Sequence, residues 1–133
     1  MAKTTGMGWT TFSVDDAGGT PVVIKNDITD VSWSTPRGVQ DVTGLDKSAI
    51  ERLLLLADFT VTPKGVFNVN ASHTVFSTVT SGSVARTVTM VVATATLPNE
   101  TLFTDYKITR SPKGELTWEA PGSLADGTIP TWA

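Results

Sequence analysis

The 133-residue chain contains no cysteine, a single histidine and no run of basic residues. Without cysteine there are no disulfides and no thiolate-held metals, which is in keeping with a reducing compartment. A lone histidine, His73, has no second histidine near it to complete a metal site. The net charge of −3 and the absence of a basic stripe argue against a protein that grips nucleic acid through its phosphates. The longest apolar run, Leu53 to Ala57, is far too short to cross a membrane. Met1 to Gly8 is polar and small, without the apolar centre of a signal peptide.

The length fits one domain with a real hydrophobic core. Threonine is the commonest residue and valine the next. Both are stiff at χ1 and favour pleated, half-buried surfaces, so the composition predicts strands.

Trp9 to Val14 alternates as a first strand. Asp15, Asp16, Ala17, Gly18 and Gly19 form a turn, and Pro21 to Lys25 returns as its hairpin partner. After a break at Asn26-Asp27, Ile28 to Thr35 is a strand with Val31 and Trp33 on one face, ended by Pro36. Arg37 to Gly44 reads as a loop. Ile50, Leu53, Leu54 and Ala57 then stand at helical spacing, with capping-box pairs at Thr43/Asp46 and Ser48/Glu51. This predicts a short helix near Asp46 to Leu55, with Leu53 and Leu54 in the core. Four consecutive leucines exceed one helical stripe, so the helix is either buried on most sides or gives way to a strand near Leu55.

Ala57 to Thr62 alternates again, and Thr62-Pro63-Lys64-Gly65 has the chemistry of a tight turn before a strand at Val66 to Val69. Ser72 to Val79 reads either as one helical turn capped by Ser72 or as a loop. Val84 to Leu97 reads as one long strand broken by Pro98-Asn99. In Thr101 to Arg110, Leu102, Tyr106 and Ile108 share a face. Ser111-Pro112-Lys113-Gly114 is a second turn. Glu115 to Ala120 alternates cleanly, with Leu116, Trp118 and Ala120 inward. The pattern predicts a single antiparallel β-sandwich domain over residues 1–133 with one short flanking α-helix, and extended arms at 1–8 and 121–133.

Chemistry is sparse. His73 with scattered serines and aspartates has no local signature of a triad. The carboxylates are dispersed, and no pair stands out as a glycosidase couple. Asp15-Asp16 beside Gly18-Gly19 lacks the alternating oxygen ligands of a calcium loop. Gly6, Gly8, Gly18 and Gly19 form no phosphate-binding loop. No catalytic, metal or cofactor site is expected. Of the four tryptophans, Trp33 and Trp118 lie in strands and are expected in the core. Trp9 and Trp132 lie near the ends, and each either folds back or docks on a neighbour.

Four stretches carry a family resemblance. One is Thr35-Pro36-Arg37-Gly38-Val39-Gln40-Asp41-Val42-Thr43-Gly44-Leu45-Asp46 leading into Ser48-Ala49-Ile50-Glu51-Arg52-Leu53. The second is Ser83-Val84-Ala85-Arg86-Thr87-Val88. The third is Gly114-Glu115-Leu116-Thr117-Trp118, and the fourth is the ending Leu124-Ala125-Asp126-Gly127-Thr128-Ile129-Pro130-Thr131-Trp132. From Ile28 to Trp132 the chain resembles the major tail proteins, or tail tube proteins, of long-tailed phages infecting Gram-positive hosts.

That resemblance implies a virion protein, made in the host cytoplasm, that forms hexameric rings stacked into a tube. It implies tail partners such as terminator, tape measure and distal tail proteins, and genomic DNA that passes through without specific binding. A closed inner barrel of about 24 strands would be roughly 50 Å across at the backbone, wide enough for a duplex. On this reading Trp9, Phe12, Asp126, Ile129 and Trp132 are expected at subunit interfaces. Asp105, Lys107, Glu115, Thr117 and Glu119, on the outward face of the C-terminal hairpin, are expected to line the channel. Competing readings are a head-decoration or other β-sandwich surface or binding module, a secretion-system tube protein, and a sandwich hydrolase.

Overall fold

The computed structural model describes residues 3–133; Met1 and Ala2, part of the expected N-terminal arm, lie outside the described residues. The chain is mainly β, an antiparallel sheet that curls into a sandwich with one short helix. Strand β1 (Trp9–Asp15) buries Phe12 and Val14 and pairs with β2 (Pro21–Val23). The intervening turn is closed by Asp16 Oδ1, which accepts from the Gly18 and Thr20 amides. Gly19 takes the left-handed conformation (φ 84°) that glycine adopts without strain.

β3 (Ile28–Ser34) ends before Pro36, as expected. The following segment departs from expectation. Arg37–Asp41 is a strand, β4, rather than a loop, and Arg52–Ala57 is its antiparallel partner β5, with Val39 opposite Leu54. No helix spans Asp46 to Leu55, and Leu53 and Leu54 are exposed, not core. A run of four leucines satisfies a period of 3.6 and a period of 2 alike, so pairing with β4 decides between them. Thr43 caps the connecting loop instead of a helix. It donates its amide and hydroxyl to Asp41 and accepts the Glu51 amide. The Thr43 hydroxyl and amide together hold the Asp41 carboxyl below its usual range.

The Thr62-Pro63-Lys64-Gly65 sequence is no turn: it lies inside β6 (Thr60–Val66). The Pro63 carbonyl accepts from the Ala120 amide, so the missing Pro63 N–H faces the same edge. On that edge the partner chain is broken into β10 (Leu116–Glu119) and β11 (Gly122–Leu124) by a bend at Ala120-Pro121. The absent donor thus falls where the ladder is interrupted. Gly65 is required by contact. A Cβ there would lie 1.8 Å from the Asp27 carbonyl oxygen.

Helix α1 (Ser72–Phe76) is the flanking helix, supplied by the segment that reads equally as helical turn or loop. Ser72 does not cap it. The buried Asp27 carboxylate accepts from the Ser72 amide (3.1 Å) and from Asn68 Nδ2 (3.0 Å). Val84 to Leu97 is a hairpin rather than one strand, β7 (Arg86–Val92) and β8 (Ala95–Phe103), turning at Ala93 with φ 54°. Pro98 sits within β8. Buried Arg86 ties this hairpin to the helix, donating to the carbonyls of Val75 and Asp15 and to Thr78 Oγ1. Burial pushes its guanidinium below the ordinary value, and Asp16 and Asp15 act against that shift.

β9 (Lys107–Arg110) continues β8 past a bend at Thr104–Tyr106 and pairs with β10 across the expected Ser111–Gly114 turn. The main sheet runs β2-β1-β7-β8-β11-β6-β10-β9, with β3 on the other edge of β6. The C-terminal hairpin bends in both strands: β8 joins β7 on one side while β10 and β11 both join β6 on the other, and the bend folds the sheet over its own core. That core contains Phe12, Val14, Phe59, Val61, Val75, Phe76, Val88, Met90, Leu97 and Trp118. Phe76 packs against Phe103, Tyr106 and Trp118. His73 Nδ1 and the Tyr106 hydroxyl share a hydrogen bond of 3.2 Å beside this cluster.

Candidate assembly surfaces

One layer of the sandwich, β3-β6-β10-β9, has four antiparallel strands, and the outer edges of β3 and β9 pair with no strand among the described residues. Alternation along each strand turns Val61, Pro63, Gly65 and Trp118 inward and leaves a polar face outward. Cross-strand register assembles that face in rows. Ser32 lies opposite Thr62, and Val66, Thr117 and Thr109 form a row across three strands. Between them Asp30, Lys64, Glu119 and Lys107 stand side by side, one from each strand.

Three residues expected in a channel, Lys107, Thr117 and Glu119, share this face. Asp105 lies in the bend between β8 and β9, and Glu115 in the turn before β10. Sequence alternation alone could not add Asp30 and Lys64, which reach the same row only through the pairing of β3 and β6 with the hairpin. The local charge of the strand face is therefore balanced, two acids against two lysines, rather than negative.

The β4–β5 ribbon stands outside the main sheet. Leu54 and Leu56 lie on one side of it, 61% and 91% exposed, and Leu53 and Leu55 on the other. Val39, Leu45 and Ile50 add to the exposed apolar surface. A two-stranded ribbon is marginal by itself in water, and one apolar on both faces is an unusual thing to leave uncovered.

Of the expected interface residues, Phe12 is fully buried in the core and cannot meet a neighbour as the subunit stands. Trp9 folds back, edge-on to Trp33 at 5.2 Å and stacked on Phe12 at 5.9 Å. The chain end also returns to the body. Gly122–Leu124 lies in the sheet, the Ala125 amide donates to the Glu100 carbonyl, and Ala133 exchanges two backbone hydrogen bonds with Thr96. Ile129 and Trp132 remain exposed along that return, and the Asp126 carboxylate accepts from the Thr128 amide.

The protein is thus a curled antiparallel sandwich whose β3-β6-β10-β9 layer has two open edges and a balanced polar face, with an uncovered apolar ribbon beside it. No protein-family model matches the chain, and no curated protein matches it. Solved structures do. A chain in the virion of a native gene transfer agent particle superposes with a TM-score of 0.76 at 15% identity, covering 97% of this chain and 99% of that one. A chain in the tail of an empty gene transfer agent particle, solved with C6 symmetry, gives 0.73 at 15% identity, with 98% of each chain covered. At that identity the likeness is one of fold, spanning both chains nearly end to end.

Proposed function

We propose that this protein is the structural subunit of a phage-type tail tube, with six copies closing a ring and rings stacking into a conduit for DNA. The observation that carries the reading is the four-stranded layer with both edges unpaired. In β3-β6-β10-β9 neighbouring strands alternate in direction, so β9 runs opposite to β3. Rotation about an axis along the layer preserves strand direction. Each β9 would then meet the next copy's β3 antiparallel, and the alternation continues round the ring without a fault. Four strands from each of six copies make a barrel of about 24 strands, roughly 50 Å wide, with the polar face inward. Closure also removes the two edges that would otherwise template aggregation. The six-fold symmetry of the similar tail supports that copy number. Negative-stain microscopy of the purified protein is expected to show six-fold rings or tubes. A protein that stays monomeric at high concentration, with or without tail-initiating components, overturns the reading.

The exposed ribbon is the second assembly element. Replacing Leu54 and Leu56 together by serine is expected to leave the melting temperature of the subunit unchanged, because neither side chain is packed. The same variant is expected to lose tubes in microscopy and sedimentation. Normal tubes from it would remove the ribbon from the assembly contacts.

A further inference from the structure

The row Asp30, Lys64, Glu119, Lys107 alternates in sign from one edge of the layer to the other: acid, base, acid, base. It begins with an acid on the free strand β3 and ends with a base on the free strand β9. We propose that the joint between subunits is set in register by Lys107 of one copy standing beside Asp30 of the next, so that the row closes into an unbroken belt of alternating charge. This rests on the ring reading above and adds to it the residues and the register of the contact.

The physical case is that strand edges carry little register information of their own. Backbone groups repeat every two residues, and a slip of two keeps all side chains on the same face. Side-chain pairs must therefore choose among the allowed slips. Inside the subunit the cross-strand neighbours on this row are opposite in sign at all three steps, Asp30 with Lys64, Lys64 with Glu119, and Glu119 with Lys107. At the joint only one register continues that rule. A slip by two residues along β9 would place Thr109 beside Asp30, and a slip along β3 would place Ser32 beside Lys107, leaving in each case the terminal charge of the row without its partner. Both end charges are available. Among the described residues the one ion pair within 4 Å is Lys47 with Glu51, so neither Asp30 nor Lys107 is engaged elsewhere. Both are solvent-exposed in the isolated subunit.

The belt has a consequence for the channel. Its charges cancel within each subunit, so a passing duplex meets neither a basic wall that captures phosphates by releasing counterions nor an acidic wall that repels them. Fields from alternating charges one strand apart, about 4.8 Å, cancel within a short distance of the wall.

The test is a charge exchange read alongside a cross-link. Asp30→Lys and Lys107→Asp, made singly, are each expected to raise the protein concentration needed for ring formation by about fivefold or more, with the larger effect at low salt. The double exchange is expected to return it toward the parent value. Independently, Asp30→Cys with Lys107→Cys in this cysteine-free chain is expected to give, on oxidation, a covalent ladder ending at six. Within one subunit the two positions are three strand spacings apart, about 14 Å, beyond the reach of a disulfide. Six-fold rings that show no cross-link and no rescue overturn the register while leaving the ring reading intact. A chain that forms no rings under any condition overturns both.

Discussion

Trp118→Ala is expected to lower the melting temperature of the subunit by about 10–20 °C, the result of losing about 3–5 kcal/mol. Trp118 is 2% exposed and is the largest buried side chain. Its ring packs on Phe76 at 5.0 Å and lies near Tyr106, while its Nε1 donates to the Val66 carbonyl at 2.9 Å. Alanine would open a cavity between helix and sheet and leave that carbonyl without its donor. The informative control is Leu53→Ala. In a core helix that substitution would cost about 2–5 kcal/mol. On the exposed ribbon it is expected to change subunit stability by less than about 0.5 kcal/mol. Thermal melts of the two variants, followed by circular dichroism, separate the arrangements. Similar losses in both would place Leu53 in a packed environment.

Gly65→Ala is expected to be comparably severe, about 3 kcal/mol or more, though it adds only a methyl group. The new Cβ would lie 1.8 Å from the Asp27 carbonyl oxygen and 3.1 Å from the Ile28 Cα, both backbone atoms that no side-chain rotation can clear. Strand β3 would have to move away from β6 at the point where Ile28 pairs with Gly65. Asp27 would move with it, loosening its hold on the Ser72 amide and Asn68. Denaturant unfolding is expected to show a lower midpoint. Among variants still folded, ring assembly is expected to fail, because β3 supplies one edge of the proposed joint. A Gly65→Ala protein as stable as the parent would mean that β3 and β6 do not approach as closely as described.

The two expectations mark where local pattern sufficed and where it did not. Clean alternation places Trp118 and Ala120 inside, since a half-buried strand leaves a period-2 record, whereas Leu116, expected inward with them, stands at the start of β10 and is exposed. The Asp16 turn and the Ser111–Gly114 turn were equally legible, because their closing hydrogen bonds lie within a few residues. The leucine run failed for the opposite reason. A stretch apolar at every position carries no period, and its conformation follows from the strand it meets. Pro63 and Gly65 imitate a turn, yet one sits opposite the distant bend at Ala120-Pro121 and the other under the backbone of Asp27.

Strand-rich composition, the absence of thiols, the inward placement of Trp118 and Ala120 and the polar turns can all be read from the chain, because each depends on composition or on neighbours close in sequence. The row of Asp30, Lys64, Glu119 and Lys107 cannot, since its members come from strands separated by tens of residues and become adjacent only through register. The same holds for the two open edges of the four-stranded layer and for the isolation of the β4–β5 ribbon. Burial, pairing and edge exposure are properties of the whole sheet, and the chain specifies them only through the long-range packing that folds that sheet over its core.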